Sequence, residues 1–151
     1  MKILVLSDSH GMISRVYDAY ETVRPDLLIH LGDRSEDIDR VVSFGDVKCD
    51  IVLVKGNCDL TLFGAPKERV LDIDGVKLFC VHGHEQRVKS GLDALTFAAK
   101  SRNCTYALYG HTHVKSVDEI NGVTCINPGA VGFSGTYTVI EIKNGQLEIL
   151  N

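Results

Sequence analysis

Buried-strand patterns that alternate with helical patterns are the feature of this sequence that most restricts its fold. Short, nearly continuous apolar runs occupy residues 2–7, 26–32 and 50–56. Between them, residues 13–24 have an amphipathic stripe and residues 35–44 begin with a Ser and acidic residues that suit a helix start. Continuous apolar runs indicate strands that are covered on both faces. This β-α-β-α-β order predicts parallel strands joined by right-handed crossovers.

The second half of the chain has a different character. Apolar runs recur at 77–83 and 105–111, and residues 91–101 are a third candidate helix. Asp-Gly or Asn-Gly stands between strand-like runs in the segments IDGVK, INGVT and KNGQL. These dipeptides are the strongest short-range signal for a β-hairpin. The sequence therefore predicts an α/β protein with a parallel first half and a hairpin-rich second half, in a single domain over residues 1–151.

Charge, hydropathy and cysteine usage narrow the classes of function. The net charge is -4, with 20 acidic against 16 basic residues and no basic cluster, so a cationic face for nucleic acid is not expected. No apolar run approaches the roughly 20 residues of a membrane helix, and the first residues indicate a core strand rather than a signal peptide. The five cysteines form no C-x-x-C pair, which predicts reduced thiols in a cytoplasmic protein.

Carboxylate, amide and imidazole side chains follow all five apolar runs. The segments are SDSHG, LGDR, GNCD, VHGH and YGHTHV, and they contribute seven candidate metal ligands: Asp8, His10, Asp33, Asn57, His82, His111 and His113. The carboxyl ends of strands line the ligand crevice in open α/β sheets. Capping and turn formation would explain one or two of these motifs, but not five.

The chemistry of these candidates indicates the kind of metal. Asp, His and Asn without an obligatory thiolate suit divalent first-row ions such as Mn, Fe, Co, Ni or Zn. Seven ligands exceed the needs of one tetrahedral ion. They suit a pair of ions about 3.5–4 Å apart that share a carboxylate, an arrangement that serves phosphoester hydrolysis.

The motifs D-x-H, G-D, G-N-x-D, H-G-H and G-H-T-H, in this order, resemble those of the calcineurin-like metallophosphoesterase family. The short form with GNCD resembles the small YfcE-type phosphodiesterases of that family. The resemblance covers essentially the whole chain, including INPGAVG at residues 126–132. It implies a four-layer α/β/β/α sandwich and two divalent transition-metal ions, with Mn favoured over Ni, Zn, Fe or Co.

The resemblance also implies a role for each candidate ligand. One ion would be held by Asp8, His10 and His113, the other by Asn57, His82 and His111, and Asp33 would bridge them. A hydroxide activated by both ions would attack phosphorus in line with the leaving oxygen of a phosphodiester.

Cys58 departs from the family pattern. Many relatives carry GNHE, whose His is thought to donate a proton to the leaving group, whereas this chain has Cys58 and Asp59. A thiol with an ordinary pKa of about 8.5 is a poor acid at neutral pH, so an enzyme that prefers activated diesters is predicted. Cys58 as a nucleophile, as a metal ligand or as a thiol packed under the loop are the alternatives. We favour a residue that lines the site.

Contacts with the substrate are predicted at Arg34, Asp59 and His84, although Arg34 and His84 also suit a helix start and a solvated loop. Residues 59–67 would form a substrate lip or a subunit contact through Leu60, Leu62 and Phe63, or pack under a sheet edge. His30 is expected to be a hydrogen-bonded core histidine. Ala130 replaces the usual Ser of the family, and the following GFSGTY lacks the basic residue of many relatives.

The leading hypothesis is a metal-dependent phosphodiesterase that acts on a small phosphodiester. One alternative is a phosphomonoesterase for a nucleotide or a phosphoprotein, against which the missing GNHE histidine counts. The other is a non-catalytic interaction scaffold of the same fold, as in the vacuolar-sorting subunit of retromer. The complete set of ligand types disfavours the scaffold. The resemblance also favours a homodimer.

Overall fold

The computed structural model describes residues 1–59 and 65–151. In chain order its elements are β1 (Lys2–Leu6), α1 (Ile13–Val23), β2 (Leu27–His30), α2 (Asp37–Phe44), β3 (Asp50–Leu53), β4 (Glu68–Ile73), β5 (Val76–Val81), a short 3-10 helix (Val88–Ser90), α3 (Asp93–Ser101), β6 (Tyr106–Leu108), β7 (Ser116–Ile120), β8 (Val123–Asn127), α4 (Val131–Ser134), β9 (Thr138–Lys143) and β10 (Gln146–Ile149). None of the helices in this part of the chain is long and apolar enough to cross a membrane.

The strands form two five-stranded sheets, in the orders β10-β9-β1-β2-β3 and β4-β5-β6-β8-β7. In the first sheet β1, β2 and β3 are parallel, as the alternating pattern predicts, and the β9–β10 hairpin adds antiparallel strands beside β1. In the second sheet β5, β6 and β8 are parallel, and the edge strands β4 and β7 are antiparallel to their neighbours.

The three predicted hairpins are confirmed. Asp74-Gly75, Asn121-Gly122 and Asn144-Gly145 join β4 to β5, β7 to β8 and β9 to β10. Both residues of each dipeptide have positive φ, for example 50° at Asp74 and 81° at Gly75. That is the conformation of the type I′ turn, whose twist matches the strands that it connects.

The two sheets pack face to face, and helices cover their outer faces. Residues such as Val5, Ile29, Leu78 and Ile126 form the core between the sheets. On the other face of β1, Leu4 and Leu6 pack against α1 and α2, while α3 covers the second sheet. Successive residues of a strand therefore enter different apolar layers, which explains the continuous apolar runs. The four-layer α/β/β/α prediction is confirmed.

The strands end earlier than the apolar runs suggest. The run at 105–111 is a strand only over Tyr106–Leu108, and β2 stops at His30. The backbone turns after β1, β2 and β6. Five of the seven candidate ligands lie in these turns and have positive φ: Asp8 (55°), His10 (47°), Asp33 (60°), His111 (68°) and His113 (62°). This conformation is uncommon for residues other than Gly and is concentrated at functional sites.

Candidate metal centre

Asp8 follows β1 and is completely buried. Its Oδ1 lies 3.0 Å from His113 Nε2 and 3.6 Å from His10 Nε2. Its Oδ2 accepts hydrogen bonds from the Ser7 hydroxyl and from the main-chain N–H of His111. One carboxylate therefore orders residues from both sheets and directs one oxygen towards two imidazoles.

Asp33 follows β2 and lies between two histidines. Its Oδ1 is 3.4 Å from His82 Nε2, and its Oδ2 is 3.8 Å from His10 Nε2. Burial favours the neutral acid, but the hydrogen bonds from His82 and from the main-chain N–H of Cys58 outweigh it and hold the pKa of Asp33 well below its usual range. Asp33 is therefore an ionised carboxylate at neutral pH, with one oxygen facing each histidine.

His82 is held in the orientation that a metal ligand needs. Its Nδ1–H donates to the Leu31 carbonyl at 2.9 Å, which leaves Nε2 directed towards Asp33. A hydrogen bond of this kind fixes the tautomer of a ligating imidazole. Burial alone would lower the pKa of His82, but Asp33 and Asp8 raise it above the usual value. The surrounding carboxylates therefore favour a positive charge at His82 Nε2. A metal ion and a proton would compete for the lone pair of this nitrogen.

The remaining geometry also fits divalent ions. His111 Nδ1 lies 3.2 Å from His82 Nε2, and two nitrogen ligands of one tetrahedral ion are about 3.3 Å apart when each bond is about 2.0–2.1 Å. His10 Nε2 is buried without a hydrogen-bond partner. Ligand atoms of Asp8, His10 and His113 all lie within 4.8 Å of one another, as do those of Asp8, Asp33 and His82. Two groups that share Asp8 are therefore suited to hold metal.

Asn57 and Cys58 lie at the exposed edge of this cluster. The Asn57 amide donates to Cys58 Sγ at 3.6 Å, and both residues are exposed. Cys58 also touches the centre through its main-chain N–H, which donates to Asp33 Oδ1 at 2.9 Å. Although Cys58 is exposed, its partial desolvation and the negative charge of Asp33 raise the pKa of the thiol. An exposed Cys58 contradicts the alternative of a thiol packed under the loop.

Comparison with known proteins identifies the family. Residues 1–145 match the calcineurin-like phosphoesterase superfamily domain. The chain belongs to that superfamily. A phosphodiesterase of Methanocaldococcus jannaschii is 31% identical over 145 residues, which cover 85% of this chain and 83% of the relative. Membership of this metallophosphoesterase family supports a phosphoesterase hydrolase that uses divalent metal ions.

Solved structures agree with this family assignment. A predicted phosphoesterase from Streptococcus pneumoniae is 26% identical, with a TM-score of 0.76, and the match covers 98% of this chain and 86% of that one. Vps29 from Entamoeba histolytica in complex with Zn²⁺ is 22% identical, with a TM-score of 0.73 and coverage of 97% and 89%. At that identity the likeness to Vps29 concerns the fold alone.

The substrate contact predicted for Asp59 is wrong, because the side chain is buried and its carboxylate is already hydrogen-bonded to main-chain N–H groups. Asp59 is 1% exposed. Its carboxylate accepts main-chain hydrogen bonds from Asp33 (2.9 Å), Arg34 (2.6 Å), Ser35 (3.2 Å) and Gly56 (2.8 Å). Both oxygens are therefore occupied, and Asp59 ties the loop after β2 to the loop after β3.

Arg34 and His84 occupy different surroundings. The Arg34 guanidinium lies 3.0 Å from Glu36 and 3.9 Å from Asp37, which favours the helix-start alternative over a phosphate contact. The His84 ring lies 5.5 Å from that of His82 and 6.1 Å from that of His111, and its Nδ1 has no hydrogen-bond partner. His84 thus stays a candidate substrate contact. Leu60, Leu62 and Phe63, the proposed lip of loop 59–67, lie outside the described residues.

A chain of buried, hydrogen-bonded polar residues lies behind the centre, and of these only His30 is predicted from the sequence. His30 is a buried, hydrogen-bonded core histidine, as predicted: its Nδ1 accepts from the Gly32 N–H at 3.2 Å. Its Nε2 then carries the proton and donates to Ser9 Oγ at 3.0 Å, and Ser9 donates to Asp37 Oδ2 at 2.8 Å. Ser9 stands between Asp8 and His10, so this chain supports the first ligand loop. The sequence signal was a Ser flanked by two ligands and an Asp at a helix start.

Proposed function

We propose that this chain is a phosphodiesterase whose centre holds two divalent metal ions. The observation that carries the proposal is the position of Asp33, with Oδ1 3.4 Å from His82 and Oδ2 3.8 Å from His10. A carboxylate that presents one oxygen to each of two imidazole groups is suited to bridge two ions. One ion would be held by Asp8, His10 and His113, and the other by Asn57, His82 and His111.

The bound ions would supply two effects, a lower pKa for an attacking water and neutralisation of charge on the phosphoryl oxygens. The protein residues supply the positions. The Cys58 N–H donates to Asp33 Oδ1 and favours the ionised carboxylate. His82 is oriented by Leu31, and Asp8 is oriented by Ser7 and the His111 main chain. His84 stands beside His82 and His111, where it would contact a phosphoryl oxygen or a substituent of the substrate.

Cys58 determines which esters suit this centre. Its pKa is raised by burial and by Asp33, so the thiol stays protonated at neutral pH. A protonated thiol is neither the thiolate that a nucleophile requires nor an efficient proton donor for a poor leaving group. The expected substrates are therefore diesters whose leaving groups need little protonation.

The test is hydrolysis of an aryl phosphodiester and of the matching aryl phosphomonoester by metal-stripped protein, before and after addition of Mn, Ni, Zn or Mg. We expect diester turnover only with a transition metal, and slow monoester turnover. Equal or faster monoester turnover would favour the phosphomonoesterase. No turnover with any metal, together with tight binding of a protein partner, would favour a scaffold.

A Cys58→His variant tests the role of the thiol. It restores the imidazole found at this position in many relatives, so we expect turnover of less activated esters to rise relative to the aryl diester. An unchanged substrate profile would contradict the role given to Cys58.

We also propose Mn as the native metal, a cytoplasmic location, a homodimer and no dedicated nucleic-acid surface.

A further inference from the structure

Phe133 of α4 is an exposed aromatic residue beside Asp8, His10 and His113, which we call the first ligand group. Its ring centroid lies 4.9 Å from that of His10 and 5.1 Å from that of His113, and the side chain is still 61% exposed. Phe44 and Phe97 are also exposed, so exposure alone does not indicate a binding role. Contact with two candidate metal ligands is what distinguishes Phe133 from them.

The main chain holds Phe133 in a fixed position. The N–H groups of Val131 and Gly132 donate to the carbonyls of Ser7 and Asp8, each at 3.1 Å. A Cβ on Gly132 would lie 2.2 Å from the Ser9 carbonyl oxygen, so only glycine permits this close approach. α4 is thereby joined directly to the loop that carries Asp8 and His10.

The side chain of Arg15 completes this anchorage. Its guanidinium donates to the carbonyls of Gly132 at 2.9 Å and Phe133 at 2.7 Å. A rigidly held aromatic ring binds a partner at little cost in conformational entropy. The Arg15 guanidinium is occupied by these main-chain carbonyls. The stretch GFSGTY around Phe133 contains no Lys or Arg. Beside the first ligand group the chain therefore presents an aromatic face.

We propose that Phe133 is a stacking platform for a planar ring in the substrate, which makes the substrate class a phosphodiester with a nucleobase or another aromatic substituent. The inference rests on the proposed function, because the phosphate must sit at the metal centre for its substituent to reach Phe133. A ring of any sequence or substitution pattern has a face that stacks on an aromatic side chain. A glycerol or alkyl substituent gains much less from this surface.

Binding of phosphomonoester products to the metal-loaded protein tests the proposal without requiring turnover. Methyl phosphate, phenyl phosphate and adenosine 5′-monophosphate would be titrated calorimetrically into the unchanged protein and into Phe133→Ala, Phe133→Trp and Phe97→Ala. Alanine substitution of a stacking aromatic residue weakens binding by about 5- to 150-fold. We expect Phe133→Ala to weaken the two ring-bearing ligands by this factor while methyl phosphate binds as before.

The matched variants separate stacking from a purely structural role. Phe133→Trp should keep the preference for ring-bearing ligands, and Phe97→Ala should not alter it, since Phe97 lies on α3. Equal weakening of all three ligands in Phe133→Ala would mean that Phe133 supports the histidines, and would overturn the proposal. An unchanged preference in that variant would overturn it as well. If methyl phosphate failed to bind the unchanged metal-loaded protein, the proposed function would fall first and this inference with it.

Discussion

His30 makes the stability of this protein depend on pH. Burial lowers the pKa of its imidazole to about 4, against 6.5 for an unperturbed histidine. The structure shows why protonation is unfavourable, since Nδ1 already accepts the Gly32 N–H and the ring is completely buried. The unfolded chain binds a proton on this residue below pH 6.5, whereas the folded chain does so only near pH 4. The contribution to stability is therefore complete above pH 6.5 and is lost as the pH falls towards 4.

The linkage relation gives the size of the effect. With these two pKa values, the free energy of unfolding falls by about 2 kcal/mol between pH 7.5 and pH 5, and by about 3 kcal/mol by pH 4. A His30→Gln variant removes the titration while keeping a donor for Ser9. Because the Gly32 N–H loses its acceptor, the variant should be less stable at pH 7.5 by about 1–3 kcal/mol.

The assay is urea unfolding of both proteins at several pH values between 7.5 and 5, with chelator present throughout. The histidines of the metal centre titrate in both proteins, so they cancel in the difference. We expect the stability advantage of the unchanged protein over His30→Gln to shrink by about 2 kcal/mol at pH 5. Parallel pH profiles, or an NMR titration that places the His30 pKa near 6.5, would refute the reasoning.

Three further predictions concern the metal centre. A Cβ at Gly56 would lie 2.3 Å from Asp33 Oδ1. Gly56→Ala should therefore weaken Mn binding, measured by calorimetry, by about 10- to 100-fold. Unchanged affinity would show that Asp33 is not a ligand. Asp59→Asn should lower the free energy of unfolding by about 2–4 kcal/mol and weaken Mn binding too, whereas a loss of stability with full Mn affinity would limit Asp59 to a structural role. Mn at 100 times its Kd should raise the free energy of unfolding by about 2.7 kcal/mol per site. If Mn raised the thermal stability of His10→Ala as much as that of the unchanged protein, the assignment of His10 as a ligand would be contradicted.

Local patterns were sufficient to predict most of the fold. Each Asp-Gly or Asn-Gly hairpin is decided by two residues that tolerate positive φ, so neighbouring sequence contains all the information. The parallel order of β1, β2 and β3 follows from the alternation of apolar runs with helices. The ends of the strands were less predictable, because Leu31 and Tyr109 are as apolar and as buried as the strand residues before them. Each also donates one main-chain hydrogen bond to the neighbouring strand, Leu31 to Leu6 and Tyr109 to Ile126, so the apolar pattern continues past the point where the regular strand ends.

The candidate ligands were predictable from the sequence because each belongs to a short motif after a strand. The partners that hold them were not. The position of Asp59 directly after Cys58 predicts a substrate contact, yet its carboxylate accepts hydrogen bonds from N–H groups of the loop after β2. Phe133 is 20 residues from His113 in sequence and acquires its meaning only when α4 packs on Ser7 and Asp8. Such roles depend on which loops meet in space, and a linear motif does not record this.

The buried charges bring the fold and the proposed chemistry together. Four carboxylates, those of Asp8, Asp33, Asp37 and Asp59, are each at most 3% exposed. Asp8 and Asp33 face the imidazoles, while Asp37 and Asp59 secure the two ligand loops by accepting the Gly11 N–H and the Asp33 N–H. Buried charge is costly unless it is compensated, and Arg34 lies near only one of the four. Asp8 and Asp33, which face the imidazoles, would be compensated by the two proposed divalent ions, so the pair of ions proposed for phosphodiester hydrolysis would also stabilise the loops that bind it.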